Sequence, residues 1–228
     1  MTRWILVPAF SPDPEAVDRW LAAVNKLEEA SPQVILSDAG RHLPGSNGCG
    51  QATWDLVTAE ESLEDVREVA DLLRPGRPLL ACDWAGLQTV RAHVDPDRKP
   101  GIKRTLLLRV RPGTPVPLVE EFEAALAAMP AHITTIGSWS LSRIDPDRSN
   151  TSWTHAWEQE FADIDGLYGE YLHHPYHWTG VERWFNPEVP GSIADTDHAH
   201  LFRSITRHVL PEPAGAVVRP PSTNAELI

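Results

Sequence analysis

Short apolar runs alternate with amphipathic stretches along the chain, and the pattern repeats after about a hundred residues. Arg3-Trp4-Ile5-Leu6-Val7 and, 101 positions later, Arg104-Thr105-Leu106-Leu107-Leu108 are apolar runs of strand length, each followed by a proline-bearing loop. Each then feeds a predicted helix. Val17, Trp20, Leu21 and Val24 share one face at helical spacing, as do Val119, Phe122, Leu126 and Met129, and Pro130 is expected to close the second helix. Strands are predicted next at 33–37 and 133–136, ending near Gly40 and Gly137. Turn-rich stretches at 44–51 and 143–150 lead to further strands at 52–57 and 152–157. Acidic helices follow at 62–73 and 163–172.

Each half therefore reads strand, helix, strand, strand, helix, with room for a last strand. That is a ferredoxin-like α+β unit, whose helices cover one sheet face and leave the other bare. Two such sheets can cover each other, so the predicted fold is α+β: two tandem ferredoxin-like units forming a fused dimeric α+β barrel, a pseudo-dimer within one chain. The first repeat is placed at 1–98 and the second at 102–208, with the proline-rich and charged stretch 95–101 as linker. Residues 209–228 lack periodicity and are read as an extended tail.

Composition narrows the partners. Lysine and arginine total 20 against 32 aspartates and glutamates, a net charge of −12. Nucleic acids and anionic membranes both ask for basic patches, so neither is expected. No apolar run approaches the roughly 18 residues of a membrane span, and the opening residues lack a signal-peptide layout, so the expected location is cytoplasmic. Cys49 and Cys82 form no CxxC pair. Nucleotide, phosphate-loop, serine-hydrolase and zinc-protease motifs do not occur, which points to an enzyme without a cofactor. The nine tryptophans could shape a broad apolar pocket, and a small hydrophobic or aromatic molecule is the expected ligand. The outer surfaces remain able to form a homodimer.

Histidine is the most uneven residue. Only His42 and His93 lie in the first half, whereas the second holds His132, His155, His173, His174, His177, His198, His200 and His208. The densest stretch is Tyr168 to Trp178, a helix end broken by Pro175. Tyr171 and His174, three apart, share a helix face, and His177 is aimed by the turn after the proline. A histidine beside a tyrosine can move a proton; the alternative is a helix C-cap with the tyrosine in the core. Asp195, Asp197, His198 and His200 offer ligand atoms without a known zinc spacing and are read as a solvated loop, so no metal is expected.

The second half resembles the stress-responsive dimeric A/B barrel family, Dabb, over 102 to about 200. The residues carrying the resemblance are the opening strand 102–108, Gly137 before a Ser-x-Ser turn, Thr154-His155, Phe161-x-Asp163 and, most specifically, Tyr171-x-x-His174-Pro175-x-His177. The resemblance implies an α+β barrel in which a tyrosine and a histidine at this signature transfer protons without a cofactor, as in a plant polyketide cyclase of the family. It marks Tyr171 and His177 as the matching pair; His177 is read as base and Tyr171 as oxyanion donor, and His155, His174, Arg104 and Trp178 are expected to contact substrate. Arg104 departs from the pattern, standing where the family often has histidine. In the first half Trp54 is matched with His155 and Ala70 with Tyr171, which makes that copy a structural cover. The reaction implied is a lyase, isomerase or cyclase step on a small aromatic or polyketide-like substrate. A non-catalytic ligand-binding or stress-associated barrel is the alternative, and haem- or metal-assisted oxygen chemistry a third reading.

Overall fold

The computed structural model describes residues 1–211. Its first half runs β1 (Thr2–Phe10), α1 (Pro14–Val24), a single turn α2 (Leu27–Ala30), β2 (Val34–Arg41), β3 (Ala52–Thr58), α3 (Arg67–Leu73) and β4 (Leu79–His93). The second runs β5 (Ile102–Leu108), α4 (Val116–His132), β6 (Ser138–Ser149), β7 (His155–Phe161), the short turn α5 (Ile164–Gly166) and β8 (Ala199–Ser204). One antiparallel sheet takes the order β2-β3-β1-β4-β6-β7-β5-β8. Each half thus contributes four strands in the ferredoxin-like order, second-third-first-fourth. The long strands β4 and β6 join the halves on one side.

On the other side the segment after β2 meets β8: Leu43 N donates to Phe202 O at 2.8 Å, and Asn47 and His200 exchange backbone bonds at 2.8 and 3.0 Å. These bonds cover the edge of β8 and bring the eight-stranded sheet nearly to a closed barrel. Gly48 lies in this seam with φ +106°, and a Cβ there would stand 2.5 Å from Ala199 Cα. Only glycine permits both the left-handed backbone and so close an approach.

Strand alternation sorts the side chains into three cores. Trp4, Leu6, Trp54 and Leu56 face the helices of the first half, where Val17, Trp20 and Val24 of α1 meet them. Leu106, Leu108, Trp157 and Phe161 face α4 and the segment after β7. Ile5, Val7, Leu107, Ala156 and Leu201 point into the barrel.

The rest of the barrel interior is polar, and much of it charged. Arg3 donates to Glu158 at 2.6 and 2.7 Å, Lys103 pairs with Glu158 at 2.6 Å and with Asp55, and Arg203 reaches Asp55 at 2.6 Å and Asp38 at 2.5 Å. All but the Lys103–Glu158 pair join one half to the other. Burial opposes the Arg3 and Arg203 charges, but the adjoining carboxylates outweigh it and raise both guanidinium pKa values. A filled barrel of this kind leaves the ligand space elsewhere, between sheet and helices.

Several predicted elements move. Residues 133–136 are not a strand: Ile133 N bonds Met129 O and Ile136 N bonds Ile133 O, so these buried isoleucines end α4, and the strand begins after Gly137. Pro130 sits within the last turn of α4 instead of closing it. The acidic helix at 62–73 shortens to α3. Residues 143–149 belong to β6, with 146–148 bulging out where Gly86 pairs Asp145 but Ala85 pairs Ser149; Pro146, which has no N–H to donate, falls in the bulge. Register also changes one internal match. Leu6 faces Trp54 as Leu106 faces Trp157, so Trp54 corresponds to Trp157 and not to His155. Of the tail read over 209–228, Val209 and Leu210 are buried, and 212–228 lie outside the described residues.

Candidate active site

Past β7 the chain makes the α5 turn and then widens into a π turn over Leu167–Tyr171; after Pro175 a second π turn covers His177–Val181. Such insertions re-aim side chains and concentrate at functional sites. Here they bring Tyr171 and His177 together, ring centres 4.9 Å apart and edge to face. Tyr171 is buried against Phe161, and the Arg104 guanidinium lies 5.1 Å from the centre of its ring.

These three residues line a cavity of about 90 Å³ with Leu106, Leu126, Trp157, His198 and His200. The backbone bonds to Asn47 hold His200 in place, so the first half braces the site from behind. Arg104 and Gln159 are partners across β5 and β7, and Arg104 Nη1 donates to Gln159 Oε1 at 2.8 Å. Of the lining residues, the buried Arg104 Nε, His177 Nδ1, His198 Nδ1 and Trp157 Nε1 have no protein partner, nor has Nε2 of the adjoining Gln159. Unsatisfied buried polar atoms are costly, and so many in one place mark a ligand position.

The electrostatics follow from Arg104. Burial lowers its pKa, and no carboxylate pairs with it among the described residues. Burial and the Arg104 charge push His177 down to about 4; burial, Arg104 and the neighbouring histidines push His200 down to about 2. Both imidazoles are neutral at pH 7. Burial raises the Tyr171 phenol, although Arg104 and Gln159 pull the other way, so Tyr171 carries its proton. The arrangement offers a neutral base, a phenolic donor and a fixed cation around one small space.

The remaining predicted contacts lie away from it. His155 is buried beneath α4, bonded to Thr154 Oγ1 at 2.8 Å and Glu123 Oε1 at 3.1 Å. Burial would raise the Glu123 carboxyl, but His155 and Arg143 outweigh it and hold it at about 2. His174 Nδ1 accepts from Tyr176 N at 3.1 Å across the proline turn. Trp178 is exposed, its ring 5.4 Å from His177. Asp195 pairs with Arg109 at 3.3 Å, while His198 packs on Phe185 and His200. Among the described residues no three histidine, cysteine, aspartate or glutamate side chains gather as metal ligands. A cavity of this size built on a guanidinium also has no room for a macrocycle.

Sequence reading did not single out Gln159, and took His198 and His200 for part of a loop with metal-ligand atoms and not for pocket residues. Gln159 had a signal: it alternates with Trp157 and Phe161 on the apolar face of β7. His200 and His198 had none, because only the β5–β8 pairing carries them to Arg104. Of the tryptophans, Trp4 and Trp84 line a separate open cleft of about 510 Å³ with Leu63, Ala70 and Leu73, Trp157 lines the small cavity, and Trp54 is core.

Residues 102–194 match the family model of the Stress responsive A/B Barrel Domain. The second half is similar to the Dabb family over these residues. None of the curated proteins matches the chain. Among solved structures, the two halves together are similar to an anthrone oxidase-like protein (12% identity, 89% of this chain and 92% of that one, TM-score 0.58). They are likewise similar to a candidate monooxygenase from Lactobacillus acidophilus (11%, 88% and 92%, 0.55) and a candidate chlorite dismutase (9%, 90% and 96%, 0.55). At these identities the likeness establishes the shared α+β barrel. No helix among the described residues is long and apolar enough to cross a membrane.

Proposed function

We propose that the second half is an enzyme that moves a proton on a small ligand, with His177 as base and Tyr171 as hydrogen-bond donor to the oxygen that gains charge. Family and structural neighbours support a small-molecule role in general. The observation carrying the finer reading is that Tyr171 and His177 meet edge to face at a cavity ringed by unpartnered polar atoms. In the step, a C–H bond beside a carbonyl breaks and its proton passes to His177. The electron pair moves to the carbonyl oxygen, where Tyr171 Oη–H donates to it. The imidazolium then returns the proton to carbon or to a leaving group, which gives isomerase, lyase or cyclase outcomes.

Exchange of the C2 protons of small 3-oxo acids in D2O, followed by proton NMR, tests this. The wild-type protein should exceed the buffer rate, His177→Ala should fall to that rate, and Tyr171→Phe should lose on the order of 100-fold. Equal rates for all three proteins would contradict it. The second reading, a ligand-binding barrel without chemistry, predicts binding that survives both substitutions and no exchange.

A further inference from the structure

We propose that the ligand of this cavity is a small organic acid, its carboxylate received by Arg104 and Gln159 and its carbon skeleton lying against Leu106, Leu126 and Trp157. The inference rests on the reading of Tyr171 and His177 as the reactive pair and supplies the substrate class.

Four observations carry it. The buried cations Arg3, Lys103 and Arg203 all meet carboxylates, whereas Arg104, 2% exposed, meets none among the described residues. Glu182 is the one carboxylate in the lining; it lies exposed and makes no ion pair with Arg104. Secondly, Arg104 Nε and the Trp157 indole N–H in the lining are unpartnered donors, as is Nε2 of Gln159, which is bonded to Arg104 through its Oε1. A ligand that satisfies them must bring acceptor oxygens, and a guanidinium prefers those of an anion. Thirdly, the first half shows that the fold does not need these polar groups. By register, Trp4 and Leu56 occupy there the positions of Arg104 and Gln159, and Trp84 that of His200. Finally, about 90 Å³ suits a body of a few carbon atoms.

An anion on Arg104 would also change the base. The charged and titratable groups facing His177 are Arg104, Tyr171, His200, His198 and, at the mouth, Glu182. Neutralising Arg104 removes the charge that depresses His177, so the imidazole becomes a stronger base once substrate is seated.

Calorimetry at pH 7 with crotonate and with crotonamide, matched in shape but not in charge, tests the proposal. Crotonate should bind about tenfold or more tightly than crotonamide. Arg104→Met should abolish that preference. Gln159→Leu, the residue of the first half, should weaken crotonate severalfold and leave crotonamide unchanged, which keeps the test open if Arg104→Met does not fold. Equal binding of the two compounds, an undiminished preference in the variants, or no binding of either would overturn the proposal. Crotonate binding is read without turnover. If it binds as expected while 3-oxo acids show no exchange, the acid site stands and the catalytic reading falls.

Discussion

Arg104 lies with its guanidinium carbon 5.1 Å from the centre of the Tyr171 ring and is buried without a counter-ion among the described residues. Such a placement favours function over stability. Replacing an unpaired buried charge with an apolar side chain of similar length relieves its desolvation, so Arg104→Met should unfold at higher denaturant, by about 1 kcal/mol or more, while losing acid binding. Urea melts of the two proteins check this; a large loss of stability would show that the charge is satisfied structurally.

The barrel interior should behave in the opposite way. Glu158 holds both Arg3, across the junction of the halves, and Lys103 in its own half, and Glu158→Ala would leave both buried cations short of a partner. We expect a loss of about 3 kcal/mol, measured by denaturant unfolding. A near-neutral result would mean that water or Asp55 takes over the pairing.

Stability should also fall on mild acidification. His42, lowered to about 4 by burial and Arg203, behaves like His177. In the unfolded chain both take up protons below about 6.5, the ordinary histidine value, while the folded protein stays neutral down to about 4. The unfolded state binds more protons in that window, so stability is complete above about pH 6.5 and declines toward pH 4. Thermal melts across the range should show the midpoint dropping, with a shallower drop in His42→Phe.

The seam at the edge of β8 supplies a local prediction. Gly48→Ala forces a Cβ against the Ala199 backbone at a positive φ, and should cost about 2 kcal/mol. Hydrogen exchange at Asn47 and His200 should accelerate in this variant before that of β1 or β5.

Much of the architecture was legible because it is written in local periodicity. The apolar runs of β1 and β5 and the helical faces of α1 and α4 sit where pattern alone puts them. Residues 133–136 misled because two isoleucines flanking two threonines look like a strand, yet both serve as helix-end core. For the site, the signature residues Tyr171, His177 and Arg104 meet, whereas His155 and His174 find partners of their own. Period-two alternation places His155 on the helix-facing side of β7 but not which neighbour it meets there. His198 and His200 reach the cavity through pairing between distant strands, which local spacing does not encode.

The most direct test of the account is the titration of the His177 imidazole by nitrogen-15 NMR, with and without saturating crotonate. The structure predicts a neutral ring at pH 7 in the free protein, titrating near 4, and an upward shift once the acid neutralises Arg104. A His177 that is already protonated at pH 7, or whose titration does not move when crotonate is bound, would contradict it.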